Sequence, residues 1–255
     1  ETWAANHFGP GVLPPFSFIY AGKLSEQFVR DWKFSRKTRQ LDDARTEYII
    51  TYEDPKTRLQ VRCECIVFKD LPAVEWVMKF KNDAEEDTPM IEDIQALEVT
   101  FLRKEKGDFV LHRALGSSAR REDFAPVDEL IKHVLHRAPV GGRSSNTTAF
   151  PFFNVEADGE GGVMVGIGWS GQWAASFAKV EGSSLRVQAG MESTHLTLHS
   201  GEEIRTPRIL LLFWQGDDYL VGHNLLRRFI LTHHMPKKDG KPVTLPFACS
   251  SSALY

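Results

Sequence analysis

Only three cysteines, Cys63, Cys65 and Cys249, occur in the 255 residues, too few for a disulfide framework. Cys63 and Cys65 stand two apart in "VRCECIVF", so on a strand they share a face and do not bridge each other. No second cysteine cluster completes a zinc site, and plain buried thiols are expected. No apolar run approaches the roughly 20 residues of a spanning helix; "RILLLFW" (208–214) is strand-sized. The formal net charge is −3 and no long Lys/Arg run occurs, which excludes the electrostatic footprint of a nucleic-acid binder. Missing too are G-x-S-x-G, H-E-x-x-H, P-loop and G-x-G-x-x-G signatures. The tandem His233-His234 diverges at a helix end, so no metal and no cofactor are expected. The chain opens on Glu1 without a Met or an apolar signal segment. A processed or cut N-terminus is the expectation, with a secreted or periplasmic location if a signal was removed and a cytoplasmic one otherwise.

What is present is mostly short β runs. "TEYIITYED", "LQVRCECIVF", "AVEWVMKFKN" and "ALEVTFLRK" alternate apolar and polar residues and end at Pro, Asp, Asn or Gly. "GGVMVGIGW", "QWAASFAKV", "SLRVQAGM", "HLTLHS" and "RILLLFW" follow. Parallel strands need long crossovers, and the spacing leaves no room for them, so the expected class is all-β, an antiparallel sandwich. A helix is predicted over 218–234, capped by Asp217 or Asp218 and ended by Pro236, and a shorter one over 125–136. "GIGWSGQWAASF" (166–177) reads as a hairpin turning at Ser170-Gly171. In that register Trp169 and Trp173 point to opposite faces, Gly166 and Gly168 leave room for the Trp173 ring, and one tryptophan is core while the other lies at an edge.

Catalytic chemistry is hard to find. Acidic residues cluster at Asp42-Asp43, Glu85-Glu86-Asp87, Glu122-Asp123 and Asp217-Asp218, all in turn-like stretches. Retaining glycoside hydrolysis needs two carboxylates about 5–5.5 Å apart across one bond. None of these clusters makes a case for such a pair, and no catalytic residue is assigned.

Five blocks in order carry a resemblance: "FSFIYAGKLSEQFVRDW", "LPAVEWVMKFKNDAEEDTPMIEDIQALE", "GRSSNTTAFPFFN", "GIGWSGQW" and "SGEEIRTPRILLLFW". Together they resemble the N-terminal β-supersandwich domain of melibiase-type α-galactosidases, the family 36 glycoside hydrolases. The resemblance implies a supersandwich over 1–215, with 216–255 as a helical linker and the start of a (β/α)8 catalytic barrel. It implies a retaining α-galactosidase-like parent whose catalytic aspartates lie on later barrel strands, beyond Tyr255. The segment "LPFACSSSALY" resembles the first barrel strand and its loop, and Ser250-Ser251-Ser252 keep part of the family's pattern there. It implies carbohydrate binding, an α-galactoside reaching the barrel, and loops that wall the sugar pocket, in some members in a neighbouring subunit; a homo-oligomer is therefore an expectation.

The substrate-binding candidates are Trp32, Asp43, Arg45, Arg143, Asn146 and Trp169. Asp43 and Arg45 match the family's Asp-x-Arg before an early strand, where a guanidinium fork suits vicinal hydroxyls. Trp32 is a candidate apolar wall for a sugar ring. Arg143 and Asn146 lie in a Gly/Ser-rich loop of the kind where binding residues collect, and Asn146-Thr147-Thr148 is also a glycosylation sequon. The alternatives are an autonomous carbohydrate-binding module using exposed tryptophans and an assembly domain without hydrolase activity.

Overall fold

Period-two alternation runs through the computed structural model, which describes residues 2–103, 107–157 and 159–243. The first strands are β1 (Ser17–Tyr20), β2 (Lys23–Leu24), β3 (Lys33–Gln40), β4 (Arg45–Glu53), β5 (Leu59–Phe68), β6 (Ala73–Asn82) and β7 (Ile91–Leu102). Then come β8 (Phe109–Ala114), β9 (Pro126–Leu130), β10 (Leu135–Arg137), β11 (Phe152–Ala157), β12 (Gly161–Gly168), β13 (Trp173–Val180) and β14 (Ser184–Met191). Last are β15 (His195–Leu196), β16 (Glu203–Arg205), β17 (Arg208–Trp214), β18 (Lys237–Lys238) and β19 (Lys241–Pro242). Two α-helices, α1 (Thr2–His7) and α2 (Leu220–Phe229), flank them.

The larger sheet has the order β3-β4-β5-β6-β17-β12-β11-β8-β9, with β16 beside β6; the smaller runs β10-β13-β14-β7-β1-β2, with β15 beside β7. The strand pairs in both are antiparallel, as expected for an all-β sandwich. Inward residues of both sheets share one core. Trp76 on β6 donates its indole N–H to Ala96 O on β7 (2.9 Å). Phe153 on β11 meets Trp173 edge-on and Phe177 obliquely across the gap, at 5.7 and 5.1 Å. Cys63 and Cys65 both point into this core from β5, and burial pushes both thiols up, so they stay protonated and inert. Cys249 and the segment resembling a first barrel strand lie outside the described residues.

The outer face of the larger sheet changes character along its strands. Near one end, the cross-strand rows Lys33–Glu53–Gln60–Lys81–Glu203 and Ser35–Thr51–Arg62–Lys79–Arg205 are polar. Near the other, the row Ala73–Leu212–Met164 is apolar and continues into Asn154, His112 and Asp128. Apolar sheet surface must be covered, and α2 covers it. Phe229 is 1% exposed and meets Phe68 edge-on at 4.8 Å, with Leu225 and Leu226 packed alongside.

Two sequence expectations change here and a third is met. The predicted Ser170-Gly171 hairpin does not form: β12 pairs with β11 and β17 in the larger sheet, whereas β13 pairs with β10 and β14 in the smaller. The chain crosses between sheets at 169–172 because both strands are apolar enough to be buried, and each finds its partners elsewhere. Gly166 consequently faces the Phe152 ring and Leu210, and Gly168 faces Arg208, instead of the Trp173 ring. The expected helix over 125–136 is strand: β9 and β10 belong to different sheets. The expected helix over 218–234 forms as α2 followed by a π-helical turn over 230–234, and the Asp218 carboxylate accepts the Leu220 N–H (2.9 Å).

Gly222, in the first turn of α2, marks a close approach of helix to sheet. A Cβ there would lie 2.7 Å from Trp214 Nε1 and 3.1 Å from Asn154 Nδ2. Both groups are fixed, since the Trp214 indole N–H donates to Asn154 Oδ1 (2.8 Å) and the Asn154 amide donates to Tyr219 O (2.9 Å). Gly222→Ala is therefore expected to destabilise the protein by about 1–3 kcal/mol through overpacking. That outweighs the roughly 1 kcal/mol by which alanine favours a helix. A urea melt of the variant checks the sign.

Candidate functional site

The six candidate residues fall into three places. Trp32, 8% exposed, follows a short 3-10 turn and stacks on Phe28 (5.1 Å, 29°), with Tyr20 and Phe18 also against it. Most of its ring is occupied by aromatic packing. Asp43 and Arg45 lie in the turn between β3 and β4. There the Asp42 carboxylate accepts the Ala44 N–H (3.0 Å) and the Arg45 Nε–H (2.8 Å), and the Arg45 hydrogen bond leads in holding that carboxyl below its ordinary value. Arg45 is thus engaged by Asp42, and Asp43 is left exposed beside it. The turn is tied to the next one, where Lys69 N–H donates to Ala44 O (2.8 Å) and Asp70 accepts from His233 Nε2 (3.0 Å). Asp43 and Arg45 therefore stand near the end of the α2 segment.

Arg143, Asn146 and Trp169 gather at the other end of the larger sheet. Gln172, in the crossover, accepts the Gly142 N–H (2.9 Å) and donates to Pro139 O (2.6 Å). Trp173, fully buried, donates its indole N–H to Ser144 O (2.7 Å), and the Asn146 amide donates to Val140 O (2.7 Å). A second loop closes on the first from the far side: Ser117 N–H donates to Ser145 O (2.7 Å), and Gly116 N–H to Thr147 O (3.1 Å). Trp169 is partly buried, with the Arg205 guanidinium 5.1 Å above its ring.

Strain collects in these loops. Ala119, Phe124 and Thr147 hold left-handed backbone (φ 62°, 60° and 50°) without being glycine. Each such residue costs on the order of 1–3 kcal/mol and persists only where its surroundings hold it. Here the two loops hold each other. The result is an exposed Phe124 ring (51% exposed), edge-on to Phe150 at 5.3 Å, with Phe150 in turn against Phe152. Arg143 is exposed and makes no ion pair among the described residues. Rings, a free guanidinium and loop carbonyls form a surface able to hold a polar ligand. The nearby Asp123 carboxylate is spent on Ser117 Oγ (2.6 Å) and Ser118 N (2.9 Å), with the Ser117 hydrogen bond leading in keeping its carboxyl low. It is a loop acceptor with no acid/base partner.

Sequence reasoning missed one polar group. His112, 6% exposed on β8, places Nδ1 2.7 Å from Asp128 and Nε2 2.8 Å from Glu156. Its ring stacks on Tyr219 at 4.0 Å and 7°. Glu75, 3% exposed on β6, accepts from Arg208 (2.8 Å) and His234 (2.9 Å). These groups fasten the two ends of the α2 segment to the sheet. The signal available was a polar residue at an outward strand position beside an apolar row. No group of three metal-ligating side chains occurs among the described residues.

Glu129 on β9 clamps the two sheets beside the loop end. It accepts from Arg113 on β8 and from Arg137 Nε on β10 (3.1 Å), so one carboxylate joins strands of both sheets. Burial pushes the Glu129 carboxyl up, but the hydrogen bonds and charges of Arg113 and Arg137 outweigh it and leave it below its ordinary value. A depressed folded-state carboxyl adds stability above its unfolded pKa and loses it as pH falls through the folded one. Glu129→Gln is expected to destabilise the protein at pH 7 and to have progressively less effect below about pH 4.5, near the ordinary Glu value. Paired melts across that range check it.

No protein-family model and no curated protein sequence matches the chain. Solved structures do. An α-galactosidase from Lactobacillus brevis is similar over 80% of this chain and 29% of its own, with TM-score 0.62 and 13% identity. The GH36 α-galactosidase AgaA from Geobacillus stearothermophilus is similar over 80% and 30%, with TM-score 0.54 and 16% identity. The α-N-acetylgalactosaminidase NagBb from Bifidobacterium bifidum is similar over 86% and 33%, with TM-score 0.52 and 9% identity. This chain thus spans about three-tenths of their length, and over that stretch it has the fold found within GH36 α-galactosidases.

Proposed function

We propose that this chain is the noncatalytic N-terminal β-supersandwich domain of an α-galactosidase-like, retaining glycoside hydrolase. On this reading we assign 1–215 to the sandwich and 216–255 to the helical linker and the start of the catalytic barrel, of which the residues after 243 lie outside those described. The observation that carries this reading is the likeness in fold to α-galactosidases over 80% of the chain. Variants of one of them, AgaA, were solved with raffinose and with stachyose, which sets the class of substrate for the proposal. Asp43 and Arg45, beside the end of the α2 segment, are the residues we assign to the wall of the sugar pocket. Arg143, Asn146 and Trp169, at the opposite end of the strands, would meet a sugar held by a neighbouring subunit.

The exposed Phe124 ring, backed by the partly buried Phe150 and Phe152, favours a second reading, an autonomous carbohydrate-binding module. Exposed Leu220, Val221, Ile230 and Leu231 on the α2 segment favour the first, since they offer an apolar surface for a following domain.

The 255-residue chain alone is expected to leave 4-nitrophenyl α-galactoside intact. Turnover that survives purification and disappears in Asp43→Asn would place a catalytic acid in the sandwich and overturn the proposal. In a polypeptide extended through a catalytic barrel, Arg45→Ala is expected to raise KM for an α-galactoside more than it lowers kcat.

A further inference from the structure

The polar half of the larger sheet's outer face forms a groove of about 580 Å³ across β3, β4 and β5. That is within the roughly 300–1,000 Å³ of small-molecule sites. Its floor is the row Ser35–Thr51–Arg62, one residue from each strand, spanning about 10 Å at the usual strand spacing. Lys33 and Lys37 flank Ser35 two residues away on either side along β3.

Three cations, Lys33, Lys37 and Arg62, line this groove against two carboxylates, Glu53 and Glu64. Arg62 Nε is buried and makes no hydrogen bond; Glu64 Oε1, 3.3 Å away, is poorly directed toward it and takes the Lys79 ammonium at 2.8 Å, while Arg62 Nη2 donates to Glu203 Oε2 at 3.3 Å. Lys33 stands 3.7 Å from Glu53, beyond hydrogen-bond reach. Lys37 has no ion-pair partner among the described residues. Two hydroxyls, an amide on Gln60 and three cations set against the two carboxylates of Glu53 and Glu64 on one concave face match a ligand that combines hydroxyls with carboxylate.

The geometry points to this groove as a binding site for an acidic saccharide, a short oligosaccharide carrying a uronic-acid carboxylate. Its carboxylate lies over Arg62 and Lys37, where guanidinium and ammonium supply charge-assisted hydrogen bonds. Its ring hydroxyls reach Ser35, Thr51 and Gln60. The site belongs to the sandwich itself and is independent of the reading proposed above.

Isothermal titration of the chain with digalacturonic acid at low salt tests this, with galactobiose as the neutral control and sodium sulfate as the bare-anion competitor. Digalacturonic acid is expected to bind, more weakly as salt rises. Arg62→Gln and Lys37→Gln are each expected to weaken binding about tenfold, the usual effect of losing one charge-assisted hydrogen bond. Lys37 is exposed on an edge strand, so its variant tests the site even if Arg62→Gln disturbs the sheet. Absence of binding, equal binding of galactobiose, or affinity unchanged in both variants overturns the proposal. So does displacement by sulfate at the concentration at which digalacturonic acid binds, which would mark a plain anion site. A dimer that dissociates in Arg62→Gln also overturns it, by giving the face to a second copy of the chain.

Discussion

Burial of the apolar half of the larger sheet's outer face is the constraint on which the rest of the structure depends. A sandwich ordinarily buries one face of each sheet and leaves the other to water. Here Ala73, Leu212 and Met164 form an apolar row on the face turned away from the core. Left open, that row would be an exposed patch. The α2 segment closes it with Phe229, Leu225 and Leu226, and Gly222 lets the helix approach closely enough to contact Trp214. Polar groups then fix its direction. His112 stacks under Tyr219 at the start, and Asp70 and Glu75 receive His233 and His234 at the end. The end of the segment comes to rest beside the turn that carries Asp43 and Arg45.

The same face explains why candidate chemistry sits at its margins. Where α2 covers the sheet, Glu75 is consumed by Arg208 and His234, and Glu156 by His112, whose ring stacks on Tyr219. Where it does not, the face is a polar groove lined by three cations and two carboxylates. The strained loops gather at the end of the strands where the chain crosses between sheets, a place where backbone leaves the ladders and must be held by side chains such as Gln172 and Trp173. Glu129 joins β8, β9 and β10 next to those loops, so the geometry of the loop end is coupled to the spacing of the two sheets.

Much of this was legible in the sequence, because alternation with period two is a local property. The antiparallel class, the inward Cys63 and Cys65 and the helix beginning near Asp218 all follow from residues close together in the chain. Trp169-Ser170-Gly171-Gln172-Trp173 has the composition of a tight hairpin turn, yet it joins strands of different sheets. The deciding contacts are remote: Gln172 with Pro139 and Gly142, and Trp173 with Ser144. Residues 125–136 carry apolar positions at spacing a helix could use, but Leu130 opposite Val110 and Leu135 opposite Phe177 make them two strands. Of the candidate site, the Gly/Ser-rich loop with Arg143 and Asn146 was readable from composition. That Asp42, not Asp43, engages Arg45 was not, since it depends on the turn's backbone.

Hydrogen exchange of the α2 amides tests most directly the claim that this helix is an integral layer of the sandwich. If burial of Phe229 and the fastening at both ends hold it in place, the amides of 224–229 exchange about as slowly as those of β17 beneath them. Fast exchange across α2 while β17 stays protected would contradict the account, because it would mean the apolar row tolerates exposure and the helix is only loosely attached.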